Sequence, residues 1–394
     1  MALPERRLLS DIRGASRLAF DATASIAALV GNMHRTIQMR PGPFGKTVPG
    51  GPRGLTGLVY RSVEGSIRLL GRGVDAGLAP LEGLLPEGES TPGRDAFLSA
   101  LNGIYGDYLA HNNNPLAITM SLHFQGQHFD PGHQPAPPMR KPSAIHPGRI
   151  LVLIHGLCLN ERHWDREGHD HGARLAEDLG YAAVYLRYNS GMNIAHNGRE
   201  LAGKLDQLLE AWPVPVEELV ILGHSMGGLV GRSACHQAEL NGLCWMKHLS
   251  KLVCLGTPHH GTLLERSGHW LDSALALSPY SAPFARIGKR RSAGITDLRH
   301  GSITEGEHEF VPLPAGVKCF ALAATLASRR SVLSERLIGD GLVPLNSALG
   351  LHQDPGQALS FVESDQSTLY RTGHLELLNR PEVYDKLRAW LAQD

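Results

Sequence analysis

Apolar residues recur every three or four positions in the first part of the chain. Leu8, Ile12, Ala15, Ala19, Ala22, Ile26, Leu29, Met33 and Ile37 form one series, and Leu55, Val59, Val63, Ile67, Leu70, Val74, Leu78 and Leu81 a second. That spacing puts each series on one stripe of an α-helix. The Gly/Pro segment from Pro41 to Pro52 breaks any helix and separates the two. A third helix is expected over Arg94–Leu109. Ala117–Phe129 alternates weakly, which predicts one or two strands. Pro131, Pro135, Pro137, Pro138, Pro142 and Pro147 then make an extended connector.

Beyond the connector the period changes. Ile150–Ile154, Ala182–Leu186, Leu219–Leu222, Leu252–Leu255 and Cys319–Ala324 are short apolar runs, with a weaker strand candidate at Ser360–Val362. Helical stretches fall between or after them, at Gly198–Ala211, Met226–Glu239 and Pro381–Leu391. Buried strands alternating with helices predict an α/β fold with a mostly parallel central sheet flanked by helices on both faces. The expected divisions are an N-terminal helical extension over 1–116, first strands and connector over 117–149, and the α/β part over 150–394.

The chain of 394 residues carries 38 Lys/Arg and 38 Asp/Glu, which argues against a chain-wide nucleic-acid footprint. Charge is uneven, however: up to Asp75 there are eleven Lys/Arg and five Asp/Glu. Basic amphipathic helices of this kind suit an anionic membrane surface, or they pack as a hairpin on the protein or on a second copy. The five cysteines are odd in number and none has C-x-x-C spacing, so a reducing, cytoplasmic setting is expected, peripheral at the inner face of a membrane if the helices bind one. The charged first twenty residues do not read as a secretory signal, and no apolar run is long enough to predict a spanning helix.

The candidate chemistry sits in Leu219 to Val230, where a strand runs into Gly223-His224-Ser225-Met226-Gly227 and then into a helix. G-x-S-x-G in that setting is a nucleophile elbow, which exposes the Ser225 hydroxyl at the carboxyl edge of the sheet. A hydroxyl needs a base, and the base needs a carboxylate to orient it. In a fold of this kind the order is serine, acid, histidine. Asp340 in Gly339-Asp340-Gly341 is the best acid, and His374 in Thr372-Gly373-His374 the best base, ahead of His352. The oxyanion needs two amide donors, expected from Met226 and from Leu157 in His155-Gly156-Leu157-Cys158. His163, Asp165, His169, Asp170 and His171 have no standard metal spacing and predict a solvated loop.

These residues resemble the α/β-hydrolase superfamily, and within it bacterial lipase-like and GPI inositol-deacylase-like serine esterases. The matching pieces are His155-Gly156, Gly223 to Gly228, Leu255-Gly256-Thr257-Pro258-His259-His260-Gly261, Asp340 to Pro344, and His374. The resemblance covers residues 150 to about 394 and implies a triad of Ser225, Asp340 and His374. The insertion at about 262–313, containing Trp270, is expected either to cover the site as a cap or to pack as ordinary helices. His155, His224, His259, His260 and Trp270 are candidates for the pocket wall, with 256–261 read as a shaping turn. Some lipases of this type hold calcium through an acidic pair. No matching pair is found in this sequence, so neither metal nor cofactor is expected.

The expected activity is hydrolysis of carboxylic esters, of lipid or acyl-chain type, through an acyl-enzyme. The rival readings are an acyltransferase using the same triad and a non-catalytic binding protein on a hydrolase fold.

Overall fold

Each apolar run is a strand whose residues alternate between two cores. The computed structural model describes residues 6–39, 54–82, 90–129, 131, 146–262, 292–306, 309–328 and 339–393. In chain order its main elements are α1 (Arg6–Met39), α2 (Gly54–Glu82), α3 (Pro92–His111), β1 (Ser121–Phe124), β2 (Gln127–Phe129) and β3 (Arg149–Ile154). Next come β4 (Asp165–Arg166), β5 (His169–Asp170), α4 (His171–Leu179), β6 (Ala182–Arg187), α5 (Ile194–Ala211), β7 (Glu218–His224) and α6 (Met226–Asn241). The last are β8 (Leu249–Leu255), α7 (Ala293–His300), β9 (Lys318–Thr325), β10 (Gln366–Tyr370) and α8 (Pro381–Leu391).

The chain divides into two compact units: Met1–Thr91 with Leu109–Ala117, and Pro92–Tyr108 with Ile118–Asp394. In the first, α1 and α2 run antiparallel. Arg13 Nε donates to Asp75 Oδ1 at 3.1 Å, and Arg17 pairs with the same carboxylate. The Arg17 hydrogen bond leads in holding the Asp75 carboxyl below its usual value, against the opposing effect of burial. Asn114 Nδ2 donates to the Gly14 carbonyl at 3.1 Å. Among the described residues no helix is long and apolar enough to cross a membrane.

The second unit holds an eight-stranded sheet in the order β10-β9-β8-β7-β3-β6-β1-β2. The strands from β10 to β6 are parallel, and β1 pairs antiparallel with both β6 and β2. Ile150, Val152 and Ile154 face one layer with Leu219, Ile221, Leu252 and helices α5 and α6. Leu151 and Leu153 face the other, with Val220, Leu222, Val253, Leu175 of α4 and Trp390 of α8. Burial on both faces is why these runs read as continuous rather than alternating. Each fully buried Leu or Ile contributes about 1.5–3 kcal/mol. At the amino end of the sheet Glu218 takes Arg149 Nε at 2.8 Å and Lys251 Nζ at 2.9 Å. Burial alone would raise the Glu218 carboxyl, but hydrogen bonds from Lys251, Ser250 and Arg149 hold it down at about 2.

From β3 the chain goes to β6 on one side, then returns to β7 on the other. Such a reversal opens a crevice at the carboxyl ends of the strands. The loop after β3 rests on α3: Cys158 Sγ donates to the Ala100 carbonyl at 3.8 Å, and Asn160 Nδ2 to Ser99 Oγ at 3.0 Å.

Two expectations are corrected. The last strand is Gln366–Tyr370, not Ser360–Val362, because parallel pairing to β9 puts Gln366 opposite Ala321 and Tyr370 opposite Thr325. The 163–171 segment is not a solvated loop. Trp164 and His171 are buried, His169 and His171 share a 2.8 Å hydrogen bond, and His171 Nε2 donates to the Leu377 carbonyl at 3.0 Å. Of the expected insertion, Trp270 and its neighbours over 263–291 lie outside the described residues, and α7 belongs to the part that is described.

Candidate active site

Ser225 joins β7 to α6 with φ 56° and ψ −122°, a conformation costly for any residue with a side chain, by about 1–3 kcal/mol. Its N–H donates to the Leu255 carbonyl at 2.8 Å, and its carbonyl accepts from Gly228 N–H at 3.1 Å. Gly227 lets the bend lie tight on β3, since a Cβ there would collide with the Ile154 carbonyl oxygen. The sharp turn is therefore imposed by packing on both flanking strands.

Asp340 follows β9 and is buried. Its Oδ1 accepts from the Leu342 and Val343 N–H groups at 3.0 and 2.8 Å. That fixes the carboxylate and turns Oδ2 to His374 Nδ1, 2.6 Å away. A carboxylate only accepts, so Nδ1 carries a proton and donates it to Asp340. His374, also buried, donates its main-chain N–H to the Asp340 carbonyl at 3.0 Å.

Gly256, directly after β8, relates the pair to the elbow. A Cβ at Gly256 would lie 3.3 Å from both Asp340 Oδ2 and His374 Cε1. The preceding carbonyl, that of Leu255, holds the Ser225 N–H. The imidazole and the elbow thus meet at one end of β8. The rings of His224 and His374 are 4.7 Å apart, and His224 Nε2 donates to the His374 carbonyl at 3.2 Å.

Met226 is the first residue of α6, where an N–H has no partner within the helix. On the other flank, a Cβ at Gly156 would lie 3.1 Å from Ser225 Cβ. Leu157 follows, packed on both Ile104 and Cys158 of its cluster and on the sheet core. Cys158 has φ 61° and donates its N–H to Ser190 Oγ at 3.1 Å.

The four described pocket histidines differ. His155 is engaged at both nitrogens: Nδ1 donates to the Gly156 carbonyl at 2.9 Å and Nε2 accepts from Tyr188 N–H at 3.4 Å. Burial pushes it down to about 3, so it is neutral. His224 is also buried and held well below its usual value, first by burial and then by His374. His259 accepts from Arg232 at Nδ1, and His260 Nε2 donates to the Gly350 carbonyl at 3.0 Å. Arg232 itself was not anticipated. Its signal is a single charge in the small and apolar run Met226–Cys235.

Residues 195–317 match the PGAP1-like alpha/beta domain family. No curated protein sequence matches the chain. Among solved structures, the chain is similar to the mature lipase BlEst2 of Bacillus licheniformis, at 20% identity over 65% of this chain and 95% of that one, TM-score 0.42. It is also similar to the RedJ thioesterase of Streptomyces coelicolor, at 18% identity over 65% and 94%, TM-score 0.36. A thermophilic esterase of Thermogutta terrifontis shows 14% identity over 62% and 89%, TM-score 0.37. The strand order and the strained turn after β7 are those of an α/β-hydrolase fold, and residues 195–317 are similar to the PGAP1-like alpha/beta domain family.

Proposed function

We propose that the chain is a serine hydrolase of carboxylic esters of lipid or acyl-chain type. The observation that carries this reading is the buried Asp340–His374 pair at the end of β8 that also holds the Ser225 amide. In this reading His374 Nε2 takes the Ser225 proton as the hydroxyl attacks the ester carbonyl, and Asp340 stabilises the imidazolium. The Leu157 and Met226 amides receive the oxyanion. His374 then protonates the departing alcohol, and water, activated by the same imidazole, releases the acid from the acyl-enzyme. An acyltransferase differs only in the second step, where an alcohol replaces water. Product analysis with and without a competing alcohol separates the two.

A fluorophosphonate probe tests the nucleophile. Wild-type chain should be labelled and Ser225→Ala should not. Equal labelling of both would refute Ser225 as the nucleophile, and labelling of neither would favour a non-catalytic hydrolase-fold protein.

We also propose that the α1–α2 unit makes a surface contact, with an anionic membrane or a second copy. Ile26, Leu69 and Leu70 remain 61%, 71% and 63% exposed, so pairing of α1 with α2 leaves much of their apolar surface in water. A membrane contact would make the chain peripheral at the cytoplasmic face.

A further inference from the structure

His224 is the last residue of β7 and stands directly before Ser225. Its side chain is buried, and burial leads in holding it well below its usual value, so the ring is neutral. A carbonyl only accepts, so the 3.2 Å bond to the His374 carbonyl makes Nε2 the protonated nitrogen. Nδ1 is then a bare lone pair, and it has no hydrogen-bond partner among the described residues. A phenyl ring would fill the same space with no lone pair to leave unmatched. Packing alone therefore does not call for histidine, and what histidine adds is the Nε2–H.

Three groups surround the ring. On one side a Cβ at Gly156 would lie 3.2 Å from Nδ1, so the glycine lets the loop after β3 come close. On another is the His374 ring, with centroids 4.7 Å apart and planes tilted by 44°. Trp164 meets it edge-on at 6.5 Å. The imidazole thus spans from the loop that bears Leu157 to the loop that bears His374. The Asp340 carbonyl already holds the His374 N–H at 3.0 Å, and Asp340 Oδ2 holds the ring. A side chain from β7 takes the same residue at its carbonyl.

We propose that His224 is a positioning residue for His374: its Nε2–H ties the residue that carries the base to the strand that carries the nucleophile. This rests on the serine-hydrolase reading above. A displacement of ~1 Å at a reacting group costs about 10² in rate. Neutrality suits the role, because a second charged ring would repel the imidazolium that forms on His374 during proton transfer.

The test compares His224→Phe, which keeps a flat ring without a donor, with His224→Gln, whose amide can reach the carbonyl. On a short-chain ester, His224→Phe should lower kcat about 10²-fold with KM within about twofold, and His224→Gln should recover at least about tenfold of that loss. A second readout needs no turnover. The His374 Nδ1–H, held at 2.6 Å by Asp340, should give a low-field proton resonance in wild type and in Ser225→Ala. His224→Phe should broaden it through faster exchange with water, and His224→Gln should keep it. A side chain that only fills the core would lower the melting temperature without separating the two variants in this way. Wild-type kcat in His224→Phe, equal losses in both variants, or an unchanged resonance in His224→Phe would each overturn the proposal. Should the variants not fold, ¹⁵N-histidine-labelled wild type supplies the answer: His224 must be the Nε2–H tautomer, and the Nδ1–H tautomer would overturn the proposal. A wild-type chain without turnover, but with the resonance behaving as described, would sink the hydrolase reading and leave the tie between His224 and His374 standing.

Discussion

Asp340 holds His374 at two points: its Oδ2 takes the ring Nδ1–H at 2.6 Å and its main-chain oxygen takes the His374 N–H at 3.0 Å. The side-chain bond sets the tautomer, and the main-chain bond fixes the loop that carries the ring. Asp340→Asn keeps the shape but can donate to Nδ1, which turns the ring to the wrong tautomer. Turnover should fall by about 10⁴ with KM little changed. Steady-state kinetics on a short-chain ester checks this, and a loss below tenfold would count against the triad.

Ser225→Ala should lower kcat by about 10⁴–10⁶ while the fold remains. Because the serine backbone is strained at φ 56°, removing its hydroxyl does not relieve the turn. Circular dichroism should be unchanged, and a lost fold would make the kinetic result uninformative about the nucleophile. Glycine at 225 would relax the turn and should raise the melting temperature relative to Ser225→Ala.

Gly227→Ala should damage both stability and activity. The added methyl meets the Ile154 carbonyl at the end of β3, so either the strand or the elbow must shift. A cost of about 1–3 kcal/mol in urea unfolding is expected. An unchanged midpoint would show that the bend tolerates a methyl group beside the Ile154 carbonyl.

Stability should fall with acid well before the carboxylates titrate. Burial pushes His155 down to about 3, and His123 and His171 to about 4. Unfolded, each binds a proton near pH 6.5. Below that the unfolded chain takes up protons that the folded one refuses. Their effect is absent above about pH 6.5, and stability is lost progressively toward pH 4. Each residue contributes a slope of up to about 1.4 kcal/mol per pH unit. Urea midpoints measured from neutral pH down to pH ~5 check this, and a flat profile would refute it.

Vesicles test the α1–α2 surface. The 394-residue chain should float with anionic vesicles at low salt, and floating should weaken as salt rises. Leu69→Glu with Leu70→Glu should abolish it. If neutral and anionic vesicles both fail while the chain sediments as a dimer, the face belongs to a second copy.

The sheet was largely legible because strands buried on both sides leave apolar runs, as in Ile150–Ile154 and Leu219–Leu222. The acid and base candidates were reached by chain order, and the structure brings Asp340 and His374 together. β10 was not legible. It is an edge strand, partly exposed throughout, and begins with Gln366, Ser367 and Thr368. Apolar Phe361 and Val362 resemble a strand in the sequence, yet Val362 is exposed. Nor could sequence show that His171 is buried, since the letters around it are polar and its partner Leu377 is 206 residues away. The same holds for Arg232, whose meaning comes from Val311 and His259 rather than from its neighbours in the chain.

The contact of α3 with the loop after β3 bears on where the sheet-containing unit can be cut. Cys158 sits against Gly103, where any Cβ would strike its sulfur, and Asn189 Nδ2 reaches the Gly106 carbonyl at 3.0 Å. A shortened protein starting at the first strand would remove the floor beneath Leu157. If the proposed hydrolase reading holds, such a truncation keeps its sheet and its histidine–aspartate bond yet turns over poorly, because the Leu157 amide proposed to meet developing negative charge is no longer held in place.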